Sequence, residues 1–506
     1  MMRTVWSARR ALLAAALLYG GAAQAQGGAR SSPRVDVPTL PLVRQTLGNG
    51  MTALLSEDHS APVVAVSVWY HVGSKNEKPG RTGFAHLFEH MMFEGSQNVQ
   101  SGEHRRLVQS LGGIFNGTTT EDRTNYFEVL PSNQLETALW LESDRMATLL
   151  TRVNQERLDA EREIVKNERR LRVDNQPFGI ADELVSAALF PGTNPYSWPV
   201  IGSMTDLSAA SLEDVQQFFR TYYSPSNATI VITGDIDPVR TRQLLERYFG
   251  PIPRGPAIER PRVAPNTLPA EKRLALEDTR ARLPQISFTW PTVGRHHADR
   301  YALEAVGNLL SLDRTSRLRK LLVYDRQLAT SVFAYNATSE DAGYFQVFVT
   351  PRPNASLTEI EQLVDSVIDG VKAGPVSADE VRRVNNYVTV SAIIGLENRF
   401  NRAEVLAEGQ VFDGDPLGYR TEIARGQAVT PADVQRVVRQ YLGPGRVVLS
   451  MVPAGQLGQV SKPNLPYTNV TPAAPAAPAA APGTSATATT VTTTTTTTTT
   501  STPRPN

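Results

Sequence analysis

The chain has 506 residues, 41% hydrophobic and 20% charged, enough to build more than one sizeable core. Its 51 Lys and Arg against 50 Asp and Glu leave a net charge of +1, which argues against nucleic acid as the main partner. Cysteine is absent, so disulfides, thiolate metal sites, iron–sulfur clusters and a cysteine nucleophile are excluded, and any metal must be held by His, Asp or Glu.

In chain order, Arg3, Arg9 and Arg10 precede an apolar run from Ala11 to Tyr19 and the small-residue site Ala23-Gln24-Ala25. A charged start, a short apolar stretch and an A-x-A site describe a secretory signal over residues 1–25, cut after Ala25. The expected location is the periplasm or the exterior. No later stretch reaches the ~18 apolar residues of a membrane span. After a strand-like alternation from Val63 to Trp69 comes Gly83-Phe-Ala-His86-Leu-Phe-Glu89-His90-Met-Met-Phe93. On a helix, His86 and His90 lie one turn apart on one face with Glu89 beside them. Phe84, Leu87, Phe88, Met91, Met92 and Phe93 make that helix apolar all round, and therefore buried. Three buried polar groups cost several kcal/mol (~2–7 each) unless something satisfies them, and a metal does so. H-x-x-E-H is itself a catalytic-metal signature.

Two histidines leave a tetrahedral catalytic site one protein ligand short, and the third must be Asp, Glu or His. The segment from Asn154 to Val173 is strongly helical and puts Leu158, Glu161, Val165, Glu168 and Leu171 on one stripe. Of the two carboxylates on that stripe, one can reach a metal and the other can orient a ligand; periodicity permits either assignment. Between these helices, Leu111-Gly112-Gly113-Ile-Phe-Asn116-Gly-Thr-Thr-Thr120 leads into the strand-like run from Thr124 to Leu130. Gly112 and Gly113 beside a strand would let another backbone approach, and Asn116 could then fix an added peptide strand. A plain Gly-rich turn is the other reading of the same residues.

Further on, the chain repeats itself. Ser211-Leu-Glu-Asp214-Val-Gln is followed by Tyr222, Pro225 and the run from Ala228 to Ile232. Thr430-Pro-Ala-Asp433-Val-Gln is followed, at the same spacing, by Tyr441, Pro444 and the run from Arg446 to Leu449. Each unit is a capped helix, a turn and a buried strand. The proline-rich stretch 251–269 cannot be a central strand or a helix interior, so it is read as a linker. The expectation is an α+β protein of two homologous halves, 36–250 and 270–460, each an antiparallel sheet with helices packed on one face. From Pro472 to Asn506 the composition turns to Pro, Ala and Thr, which cannot bury enough apolar surface to offset ordering, so a disordered tail is expected.

The inverted motif, the Gly-Gly…Asn segment, the Glu161-Arg-Glu-Ile-Val-Lys-Asn-Glu168 helix and the homologous second half together resemble the pitrilysin/insulinase family of inverted-motif zinc peptidases. The length is similar to the half-size branch that includes the mitochondrial processing peptidase subunits. The resemblance implies that His86, His90 and Glu168 ligate one Zn2+ per chain, that Glu161 supports the site, and that Asn116 contacts the substrate backbone. It also implies a zinc metalloendopeptidase acting on peptides or unfolded segments in a closed chamber, with Glu89 as the base on a metal-activated water. The other fate it implies is a non-catalytic scaffold or peptide-binding subunit.

One departure stands out. The family carries a Tyr after Gly-Leu-Ala in the second half, and an Arg seven residues earlier, both of which help bind substrate. Here those positions hold Thr330 and Val323. The implied partner is therefore a second half-length subunit that supplies both residues, in a heterodimer, with a homodimer as the alternative.

Overall fold

The computed structural model describes residues 36–190, 192–260 and 262–471. The expected signal segment and the tail beyond residue 471 lie outside the described residues. Two six-stranded sheets organise the chain. The first uses β1 (Val43–Thr46), β2 (Thr52–Glu57), β3 (Val63–Tyr70), β4 (Ile114–Thr119), β5 (Thr124–Pro131) and β6 (Ala228–Gly234), in the order β1-β2-β6-β3-β5-β4. The second uses β7 (Lys272–Asp278), β8 (Gln285–Val293), β9 (Ala329–Thr338), β10 (Ala342–Pro351), β11 (Val447–Pro453) and β12 (Thr468–Val470), in the order β12-β7-β11-β8-β10-β9. From β2 and β7 onwards the two orders are the same circuit drawn twice.

The fold class is α+β, and the sheets are mixed rather than wholly antiparallel. β2 runs parallel to β6, and β7 runs parallel to both β11 and β12. Period-two alternation carries no strand direction, which is why the sequence did not reveal this. The direction follows from the long helical crossover that returns the chain to the middle of each sheet. Every residue of β6 and β11 is buried, as suits a central strand with a parallel neighbour. Both strands follow helices that open on a reciprocal cap. Ser211 and Asp214 cap Leu212–Tyr222, and Thr430 and Asp433 cap Pro431–Tyr441.

The helices that bear on the site are α1 (Phe84–Met91), α2 (Glu103–Ser110), α3 (Leu135–Thr148), α4 (Gln155–Arg169) and α5 (Ala181–Leu189); Met204–Ala209, Leu212–Tyr222 and Pro238–Phe249 complete the first half, and a second series follows in the later half. Most pack on the inner face of their own sheet. The outer faces are covered too, and by exchange. The Arg399–Glu408 helix lies across the first sheet, where Glu404 accepts hydrogen bonds from Ser67 Oγ (2.8 Å), Trp69 Nε1 (3.0 Å) and Asn125 Nδ2 (2.8 Å). Phe400 packs on Phe127, ring centroids 4.1 Å apart. In return, Val185 and Leu189 of α5 join Leu276, Leu449 and Met451 of the second sheet in one apolar cluster. The expectation of helices on one face thus holds only within each half. Among the described residues, no helix is long and apolar enough to cross a membrane.

Candidate metal centre

α1 begins where the sequence offers few conventional capping signals, because Gly83 has no side chain to accept from the first amides. Glu77 does that work instead: its carboxylate accepts from Gly83 N (2.9 Å) and Ala85 N (2.7 Å). Asp206 holds the preceding residue, accepting from Thr82 N (3.0 Å) and Thr82 Oγ1 (2.6 Å). Phe84, Leu87, Phe88 and Met91 are buried, and Phe88 packs on Tyr223 with centroids 4.5 Å apart. This leaves the face carrying His86, Glu89 and His90 turned toward α4 and β4.

α4 opens on Asn154, whose side chain accepts from Arg157 N, and buries Leu158, Glu161 and Val165. Immediately after Arg169 the helix widens into a π-turn over Arg170–Asp174. That change of pitch takes Leu171 off the apolar stripe; it is 66% exposed, against the sequence expectation. Glu168, just before the turn, stays on the side of α1.

The structure brings His86, His90 and Glu168 together, with one donor atom of each within 4.8 Å of the others. Glu168 Oε2 lies 3.6 Å from His86 Nε2 and 3.1 Å from His90 Nε2. A tetrahedral ion ~2.1 Å from each donor needs donors ~3.4 Å apart, so the spacing suits zinc. Glu161 is not in this group: its Oε2 faces the other ring nitrogen of His90, Nδ1, at 3.5 Å. Glu168 Oε2 is buried and meets only the two histidine rings, as an ion pair rather than a well-directed hydrogen bond, and His86 Nδ1 is buried without a hydrogen bond among the described residues. A buried carboxylate oxygen facing two imidazole nitrogens is a donor set that a cation would satisfy.

The two rings titrate in opposite directions. Burial, and then the neighbouring His90, push His86 down to about 4. Burial opposes protonation of His90 as well, but Glu161 and Glu168 hold it up at about 9. Burial raises the Glu89 carboxyl, against a hydrogen bond from Thr119. Without an ion, the protonated form is thus favoured at His90, between Glu161 and Glu168, and the neutral form at its neighbour His86.

Glu89 faces β4. Thr119 Oγ1 donates to Glu89 Oε2 at 2.6 Å, and Gly117 leaves the space that the side chain fills, since a Cβ there would sit 2.9 Å from Glu89 Cγ. The pleat puts Phe115, Gly117 and Thr119 on the α1 side, which turns Asn116 to the opposite face, exposed. Gly112, at φ +75°, makes the left-handed turn into the strand. At Gly113 a Cβ would meet Leu130 Cδ2 at 2.3 Å, so the close approach it permits is to β5. Sequence reasoning missed Glu77, Gly117 and Thr119; each acts on α1 from outside the helix, where no motif spacing records it.

In the second half, Thr330 lies on β9 and its hydroxyl donates to Thr350 O (3.1 Å), while Val323 is half-buried against the second core. Neither place offers an Arg or a Tyr. Tyr335, also on β9, is 41% exposed and donates to Gln346 Oε1.

Comparison with known proteins identifies the family. A family model described as insulinase (peptidase family M16) matches residues 52–197, and one described as the peptidase M16 inactive domain matches 209–387. The zinc protease PqqE of Helicobacter pylori is 26% identical over 399 residues, 78% of this chain and 89% of that protein. The crystal structure of a protease from Helicobacter pylori superposes with a TM-score of 0.77 at 25% identity, covering 82% of this chain and all (100%) of the other. The periplasmic protease PqqL from Escherichia coli matches in fold, with a TM-score of 0.66 at 18% identity, over 82% of this chain but 48% of its own. With the inverted motif and the duplicated sheet circuit, these matches place the chain in the insulinase family, peptidase family M16, among its half-length members.

Proposed function

We propose that the chain is an exported zinc-dependent endopeptidase that hydrolyses peptides or unfolded polypeptide segments. The observation that carries this reading is the convergence of His86 Nε2, His90 Nε2 and Glu168 Oε2, three donors of metal-ligand type, with both histidines on the helix that also carries Glu89. His86, His90 and Glu168 would hold one zinc ion, and Glu161 would orient His90. When bound, zinc would supply Lewis-acid activation of water and of the scissile carbonyl. Glu89 would take the proton of the attacking water and deliver it to the leaving amine. β4 is the edge strand of its sheet, so an extended peptide could pair with it and pass in front of Glu89, with Asn116 reaching the peptide backbone. Gly112 and Gly113 would shape the turn at the entry of that strand.

The location of PqqL and the sequence of residues 1–25 support export. The match to about half of PqqL supports a dimer enclosing the substrate, most economically with a different half-length subunit that supplies the Arg and Tyr missing at Val323 and Thr330. A second reading, a non-catalytic peptide-binding subunit, draws on the inactive-domain match over 209–387. Zinc analysis together with cleavage of a generic fluorogenic peptide separates the two. Chelator-sensitive cleavage restored by zinc is expected; a zinc-loaded chain that cleaves nothing, alone or with a partner, would leave the binding role.

A further inference from the structure

We propose that Thr119 is a positioning residue for Glu89, and that its hydroxyl selects which carboxylate oxygen is left free to accept a proton. This rests on the reading of Glu89 as the general base. Thr119 is the last residue of β4, paired across the sheet with Thr124. Thr124 Oγ1 commits its own proton to Val72 O at 2.9 Å, and approaches Thr119 Oγ1 only at 3.5 Å. The Thr119 proton is therefore directed to Glu89 Oε2, at 2.6 Å. Oε1 lies over Gly117, where a Cβ would be 3.1 Å away, while Thr119 holds the other oxygen. One oxygen is tethered by the strand; the other stands over the one residue of β4 that leaves room for it. The tether also couples the base to the strand proposed to receive substrate, so a peptide pairing with β4 would meet Glu89 already oriented.

The test uses the full-length zinc-loaded protein and Thr119→Val, which keeps the shape and removes the hydroxyl, beside Thr119→Ser, which restores it. Thr119→Ala repeats the test without the added methyl. The expected result is a fall in kcat of ~10–100-fold for Val and Ala, the loss that follows from one hydrogen bond to a charged group. KM, zinc content and melting temperature should stay close to wild type, and Ser should recover kcat to within about threefold. Crystal structures of the variants supply a readout independent of turnover: the Glu89 carboxylate should swing away in Val and Ala and return in Ser. A Val variant with kcat within about threefold of wild type, or a Ser variant as impaired as Val, would overturn the proposal. If wild-type protein with zinc cleaves nothing, the endopeptidase reading fails, and an unmoved Glu89 in the Val structure would still refute the tether on its own.

Discussion

His90 stands between two carboxylates, with Nε2 3.1 Å from Glu168 Oε2 and Nδ1 3.5 Å from Glu161 Oε2. The two glutamates thus address opposite edges of one ring, although they lie on one stripe of α4. Only Glu168 also approaches His86. Glu168→Gln should therefore abolish stoichiometric zinc. Glu161→Gln should retain it with affinity weakened ~10–100-fold, the usual cost of losing an orienting partner. Metal analysis after dialysis against graded chelator checks both, and the reverse pattern would exchange the roles.

Glu89→Gln should keep zinc and fold while losing turnover by at least ~10²–10⁴-fold, because the amide cannot accept the proton. His86→Ala and His90→Ala should lose the metal along with activity. Paired zinc analysis and peptide cleavage distinguish the two kinds of loss.

Acid stability should depend on a cluster remote from the metal centre. Glu361, fully buried, accepts from Arg273 Nη2 (2.7 Å) and Arg446 Nη2 (3.1 Å), and Lys462 Nζ lies 2.6 Å away. Burial would raise its carboxyl, but Arg273, Lys462 and Ser461 hold it at about 2, against an ordinary 4.5. Because the folded value is the lower one, the stabilisation is complete above 4.5 and is lost as pH falls toward 2. The contribution is at most about 3 kcal/mol, less where solvent screens the pairs. Glu361→Gln should lower the denaturation midpoint at neutral pH and flatten its decline between those values, as urea melts across the pH series would show.

Assembly gives a fourth prediction. Purified alone, the chain should cleave peptides weakly, and a co-expressed half-length subunit bearing the Arg and Tyr should restore activity and co-purify as a dimer. Full activity as a monomer would exclude both dimers; full activity as a homodimer would exclude only the second kind of subunit.

His86, Glu89 and His90 were legible in the sequence because their spacing is a property of a single helix. Glu161 and Glu168 were legible as a pair but not by role, since the stripe they share says nothing about which side of His90 each will meet. Leu171 was misplaced because a π-turn leaves no trace in 3.6-residue periodicity. Thr119 and Gly117 could not be found, because their importance comes from a strand packing on a helix distant in the chain. The duplicated cap-helix-strand unit showed two halves, yet the exchange of α5 for the Arg399–Glu408 helix depends on outer sheet faces whose apolar residues look, along the strand, like any other core.

That exchange sets the order in which the chain can mature. During synthesis the first sheet is complete once β6 has emerged, but Trp69, Phe127 and the polar groups that Glu404 satisfies must wait for a helix made much later. Over the same interval, the Val185 and Leu189 face of α5 has Phe178, Phe190 and Tyr196 beside it but not yet Leu276, Leu449 and Met451 of the second sheet. A chain left half-finished would thus expose both surfaces to water and to its neighbours. The first half can form its own core early, while the docking of the two outer faces waits for the later half of the chain.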